Sequence, residues 1–219
     1  MDYDAVLFDC DGILVTPPDY GTQVDATQAA FEEVGVEEVE QVYIDDIVNG
    51  VTVERLHEIC TVYDIDVDTF WEARERHDEQ SQFEQFRMGS RDCYDDITTI
   101  STLPRPCGIV SNNHHSTIRF VLEFFELNNA FDVYYGREKT VESLELKKPD
   151  THYLDKALTE LEGESALFLG DRESDVIAAH RAGMDSVFVR RPHCKNVELS
   201  ETPTYEIDTL HELSDILHG

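Results

Sequence analysis

The sequence predicts an α/β fold: a parallel sheet flanked by helices, with a block of helices inserted after the first strand. Three observations carry this. Short apolar runs recur along the chain, amphipathic helical patterns lie between them, and residues 16–89 interrupt the alternation. Strands alternating with helices imply parallel pairing through right-handed crossovers.

The first run, Ala5-Val6-Leu7-Phe8, ends at Asp9 and reads as a buried strand. Further runs are Gly108-Ile109-Val110, Asp132-Val133-Tyr134-Tyr135, Ala166-Leu167-Phe168-Leu169 and Ser186-Val187-Phe188-Val189. Residues 117–126 place Ile118, Val121, Leu122 and Phe125 on one helical face. A second helix is expected over 151–162, before Gly163, and a third over 174–182, with Gly183 as its C-terminal cap. Residues 16–89 hold no convincing strand. Phe31 and Val34, then Val53, Leu56, Cys60 and Tyr63, then Phe70, Ala73, Phe83 and Phe86 mark several amphipathic helices. Pro17-Pro18 leads out of the first unit and Met88-Gly89-Ser90 leads back. The expected division is residues 1–15 and 90–219 for the α/β domain and 16–89 for the helical one.

The chain has 219 residues, with 47 Asp and Glu against 17 Lys and Arg, a formal charge of −30. The acids are spread along its whole length, and the five lysines begin only at Lys139. Two readings compete: an acidic partner-binding surface such as a nucleic-acid mimic, and a carboxylate-coated, halophilic surface whose self-repulsion brine screens. Scattered acid with scarce lysine favours the second. The same field repels nucleic acid and anionic membranes, so neither is expected as a partner. The acidic lead-in Met1-Asp2-Tyr3-Asp4 does not resemble a secretory signal, and no apolar run reaches the roughly 20 residues of a membrane span. A cytoplasmic protein is expected. Five cysteines, an odd number without a CxxC pair, argue against a disulfide framework or a zinc site.

Four polar sites stand at the C-terminal ends of the expected strands, the edge where open parallel sheets bind ligands. Asp9-Cys10-Asp11-Gly12 puts two carboxylates on a tight turn, where they repel unless a cation intervenes. An aspartate can attack phosphorus, and a second carboxyl can move the proton. Ser111-Asn112 offers a hydroxyl and a backbone amide for a phosphate. Lys147-Lys148-Pro149-Asp150 offers a cation in a lysine-poor chain. In Gly170-Asp171-Arg172-Glu173-Ser174-Asp175, two acids four residues apart suit an oxygen-seeking metal such as Mg²⁺.

In this order, DxDG, Ser, Lys-Pro and GDxxxD resemble the haloacid dehalogenase-like (HAD) hydrolase superfamily, over nearly the whole chain. The similarity is to its phosphatase branch with a type 1 helical cap, and to phosphoglycolate phosphatase-like proteins of halophilic archaea. It implies a Rossmann-like core, with residues 16–89 as the cap. It further implies Asp9 as nucleophile and metal ligand, and Asp11 as general acid/base whose backbone carbonyl also ligates Mg²⁺. Ser111 would bind phosphate, and Lys148 would hold the phosphoryl group, with Lys147 as the alternative. Asp171 would ligate the metal, and Asp175 would complete or orient its shell. The amides of Cys10 and Asp11, with Asn112, would finish the phosphate cradle.

The resemblance also bears on the reaction. Dehalogenases of the family lack the second aspartate, because halide leaves without a proton, so Asp11 points to phosphoryl chemistry. The phosphonoacetaldehyde hydrolase branch uses a cap lysine, and residues 16–89 contain none. A Mg²⁺-dependent phosphomonoester hydrolase acting on a small metabolite is expected, with phosphoglycolate or a sugar phosphate as substrate. A sugar-phosphate mutase and a non-enzymatic phosphate-binding regulator share the motifs. The expected state is a monomer or homodimer. Arg55, His57, Arg74, Arg76 and Arg87 are candidates for gripping a substrate anion, against the plainer reading of each as a solvated or ion-paired helix charge.

Overall fold

A computed structural model describes residues 3–218. Met1 and Asp2, part of the acidic lead-in, and Gly219 lie outside the described residues. The chain forms two compact units, one of residues 1–16, 92–136 and 146–219, the other of residues 17–91 and 137–145. In chain order the elements are β1 (Ala5–Phe8), α1 (Tyr20–Glu33), α2 (Gln41–Val48), α3 (Val53–Val62), α4 (Val67–Met88), β2 (Cys107–His114), α5 (His115–Phe124), β3 (Val133–Arg137), α6 (His152–Glu160), β4 (Ala166–Gly170), α7 (Glu173–Arg181), β5 (Asp185–Val189), β6 (Tyr205–Ile207) and α8 (Leu213–His218).

The first unit is a doubly wound sheet in the order β3-β2-β1-β4-β5-β6. The pairings β1–β2, β1–β4, β4–β5 and β5–β6 are all parallel. Every residue of β1 and β4 is buried, which explains why they read as unbroken apolar runs: strands covered on both faces do not alternate. Leu7, Val110, Phe168, Leu154, Ala157, Ala178 and Ala179 form part of the core beside them. The register sets Phe8 opposite both Ile109 and Leu169. The ends of β1 and β4 therefore coincide, and the Asp9 N–H continues the ladder to the Leu169 carbonyl at 2.8 Å. Because β2 and β4 lie on opposite sides of β1, the crevice at the strand ends is a topological switch point.

Two local readings are corrected. β2 runs on to His114, so Ser111 and Asn112 lie within the strand and not after it. The polar Ser-Asn-Asn run looks like a loop, but its backbone stays extended until α5 begins at His115. Strand β6, only three residues long, carries too little pattern to be recognised.

The second unit is helical. Side-chain caps open three of its helices: Asp19 accepts from the Thr22 N–H, Thr52 from Arg55 and Asp66 from Thr69. Gly89, with φ of 72°, closes α4 in the left-handed conformation. Phe31, Phe70 and Trp71 form its core with Leu56 and Ile59. The segment 137–145, assigned to the α/β domain from sequence, groups with this unit. Val141 and Leu144 join its apolar core, and the Arg137 guanidinium binds Glu75 through both terminal nitrogens. Glu75 is fully buried and also accepts from Arg74 at 2.8 Å.

Removing one member of a buried ion cluster leaves an uncompensated charge, at a cost of about 3–5 kcal/mol. Glu75→Ala is therefore expected to destabilise this unit by about that amount, measured by urea unfolding. A loss under ~1 kcal/mol, the level of an exposed pair, would show that the cluster carries little of the stability.

Candidate active site

Asp9 follows β1 directly, and its carboxylate is buried. Lys148 Nζ lies 3.1 Å from Asp9 Oδ1, 2.8 Å from Asp175 Oδ1 and 3.0 Å from the Val110 carbonyl. It is Lys148, rather than Lys147, that brings its ammonium here. Asn112 holds that residue in place: its Oδ1 accepts from the Lys148 N–H at 2.7 Å and its Nδ2 donates to the Lys148 carbonyl at 3.2 Å. The Asn112 side chain thus grips the lysine-bearing loop. The Cys10 N–H donates to Asp9 Oδ1 at 2.8 Å, and the Ser111 hydroxyl hydrogen-bonds the same carboxylate.

Burial pushes the Asp9 carboxyl up to about 6; Lys148 opposes the rise, while Asp175 and Asp11 add to it. The Lys148 ammonium is desolvated too, yet Asp175 and Asp9 outweigh that effect and hold it above its ordinary value. The exposed Arg172 responds similarly: Asp171, Asp9, Asp175 and Asp11 outweigh its partial desolvation and raise its guanidinium.

Asp11 is only half-buried, and its Oδ2 accepts from Asn113 Nδ2 at 2.7 Å. Asp175, at the start of α7, accepts from the Arg172 N–H through Oδ2 at 3.0 Å, and its Oδ1 pairs with the Lys148 ammonium at 2.8 Å. Two glycines make room for these acids. A Cβ on Gly12, whose φ is 84°, would stand 2.1 Å from Asp171 Oδ2, and one on Gly170 would stand 2.2 Å from the Asp175 Cβ. Neither position admits a larger residue.

Asp9, Asp171 and Asp175 each offer a carboxylate oxygen within 4.8 Å of the others. Among the described residues, the buried Asp171 Oδ1 has no hydrogen-bond partner. A lone buried carboxylate oxygen is costly unless something positive meets it. With Asp11, four carboxylates face the two cations Lys148 and Arg172, so a divalent cation would balance the charge. Hard oxygen donors with this imbalance fit Mg²⁺.

Three residues near the site escaped the sequence reading. Asn113 holds Asp11, His193 Nε2 lies 2.5 Å from Asp171 Oδ2, and Arg172 stands in the field of all four acids. A signal existed for each: Arg172 lies inside the GDxxxD motif, Asn113 directly follows Ser111-Asn112, and His193 follows β5, which ends at the same sheet edge. The anion-gripping candidates of the helical unit are largely engaged with acids. Arg55 pairs with Asp46 and Glu58, Arg74 with Glu75 and Asp78, and Arg76 with Glu33. Arg87 lies over the Phe83 ring, and His57 is exposed.

A doubly wound sheet whose switch point carries a buried aspartate, a lysine and further acids defines a carboxylate-based centre on a Rossmann-like core. The haloacid dehalogenase-like hydrolase family matches residues 6–189, and the chain belongs to it. Among curated relatives, it is 29% identical over 128 residues to an (S)-2-haloacid dehalogenase of Pseudomonas putida, spanning 58% of this chain and 55% of that one. It is 28% identical over 127 residues to the pyrophosphatase PpaX of Bacillus cereus, spanning 57% of each. The chain thus spans about half the length of the curated relatives it matches. Among solved structures, a predicted phosphoglycolate phosphatase from Haemophilus somnus superposes with a TM-score of 0.67 at 19% identity, over 98% of this chain and 97% of that one. Among the described residues, no helix is long and apolar enough to cross a membrane.

Proposed function

We propose that this chain is a Mg²⁺-dependent phosphomonoester hydrolase acting on a small phosphorylated metabolite through an aspartyl-phosphate on Asp9. The observation that carries the reading is the contrast between two neighbouring acids. Asp9 is buried against Lys148, whereas Asp11 is half-exposed and steadied by Asn113. Two carboxyls in different environments suit two roles, nucleophile and proton carrier. Halide displacement needs no proton carrier, so Asp11 favours phosphoryl transfer over the dehalogenation of some relatives.

In this reading an Asp9 oxygen attacks phosphorus as the bond to the leaving oxygen breaks, and Asp11 supplies that oxygen with a proton. Asp11 then takes a proton from water, which attacks the aspartyl-phosphate and frees both Asp9 and inorganic phosphate. Lys148 and Ser111 stand beside the Asp9 carboxylate and would meet the phosphoryl oxygens. Asp9 and Asp171 would hold the Mg²⁺ with the Asp11 backbone carbonyl, and Asp175 would orient Lys148. When bound, the ion offsets the repulsion between the carboxylates and an anionic phosphate.

Phosphate release from p-nitrophenyl phosphate, phosphoglycolate, sugar phosphates and pyrophosphate tests the proposal, with halide release from a 2-haloacid as the contrasting arm. Turnover is expected to vanish in EDTA, return with Mg²⁺ and be absent in Asp171→Ala. Full activity in EDTA, or halide release in place of phosphate release, would sink it.

A further inference from the structure

We propose that His193 is a positioning residue for the metal site, holding the Asp171 carboxylate so that Oδ1 stays turned toward the cation. The proposal rests on the metal-site reading above and extends it to a residue outside the family's motifs.

His193 follows β5, and its Nε2 lies 2.5 Å from Asp171 Oδ2. A carboxylate only accepts, so the shared proton sits on Nε2. The other ring nitrogen, Nδ1, faces the Tyr94 hydroxyl at 3.5 Å. The aspartate side chain ends in a torsion with a broad, nearly two-fold profile, so its two oxygens exchange places at little cost unless something distinguishes them. Here His193 does: it binds Oδ2 alone, and the missing Cβ of Gly12 leaves the room that this side chain occupies. Oδ1 is left buried with no hydrogen-bond partner, which is the state a cation ligand needs before the cation arrives. The ordering is already present in the protein, so binding need not impose it.

Calorimetric titration of MgCl₂ into the metal-free, full-length protein tests this without reference to turnover. Loss of such a supporting hydrogen bond typically weakens metal binding about 10–100-fold, and His193→Ala is expected to do so. His193→Gln keeps an N–H donor of similar reach and is expected to recover most of that loss. Asp171→Ala is the control for the site itself and is expected to abolish binding. Wild-type affinity in His193→Ala, with binding lost in Asp171→Ala, would overturn the role of His193 alone. Equal weakening by Ala and Gln would overturn the hydrogen bond as its cause. Wild-type affinity in Asp171→Ala would overturn the metal-site reading beneath it.

Discussion

Asp9→Asn is expected to abolish turnover and, at the same time, to stabilise the metal-free fold. The first effect follows from removing the nucleophile, a loss on the order of 10⁴–10⁶-fold. The second follows from burial. Desolvation raises the Asp9 carboxyl from 3.8 to about 6, despite the ammonium of Lys148 nearby. The folded state therefore holds this proton more tightly than the unfolded chain does. Its contribution to stability is complete below pH 3.8 and is lost as pH rises through about 6. Above that, the metal-free fold carries a buried charge at a cost of about 3 kcal/mol at most. Asparagine removes the charge and keeps an acceptor for the Cys10 N–H, while Lys148 retains Asp175. In EDTA at pH 8 the variant should melt above the wild type, with the gap closing toward pH 4. A variant that melts below the wild type at pH 8, or that still turns over, would contradict the assignment.

Asp11→Asn is expected to slow catalysis about 10²–10⁴-fold, the usual worth of a positioned acid or base. The substitution preserves the shape of the side chain and the backbone carbonyl, and it leaves Asn113 an oxygen to bond. The loss should depend on the leaving group. An alkyl phosphate needs a proton on its departing oxygen and should suffer the whole effect in the first step. p-Nitrophenyl phosphate leaves as a stabilised anion and should pass that step more easily. Hydrolysis of the aspartyl-phosphate still lacks its base, so the aryl substrate should give a burst of nitrophenol followed by a slow steady state. Mass spectrometry of the quenched variant should find phosphate on Asp9. Near-wild-type turnover of both substrates would show that proton transfer lies elsewhere.

The two assays probe different kinds of information. Asp9 and Asp11 are readable from the chain because they follow a short apolar run with a glycine three residues after the nucleophile, and both facts are local. Non-local pairing is different. Glu75, Arg74 and Arg76 lie close together in a charged stretch of α4 and look alike in sequence. Glu75 is nevertheless fully buried, because Arg137, 62 positions away, folds onto it, while Arg76 remains on the surface with Glu33. The hydrophobic period gives no such warning, since a charge paired inside and a charge in water occupy the same letter.

The sequence by itself determined the class of fold, the helical insertion and the strand ends at which the acids stand, since these depend on apolar run length, helical periodicity and turn chemistry within a few residues. Tertiary structure alone decided which of two adjacent lysines enters the site: Asn112 clamps both polar groups of the Lys148 backbone, and the ammonium then falls between Asp9 and Asp175. It also decided that residues 137–145 join the helical unit and that His193 reaches Asp171. Each of these is a meeting of residues far apart in the chain. A hydrogen bond or ion pair of this kind depends on positions to within a few tenths of an ångström, and the fold as a whole sets those positions.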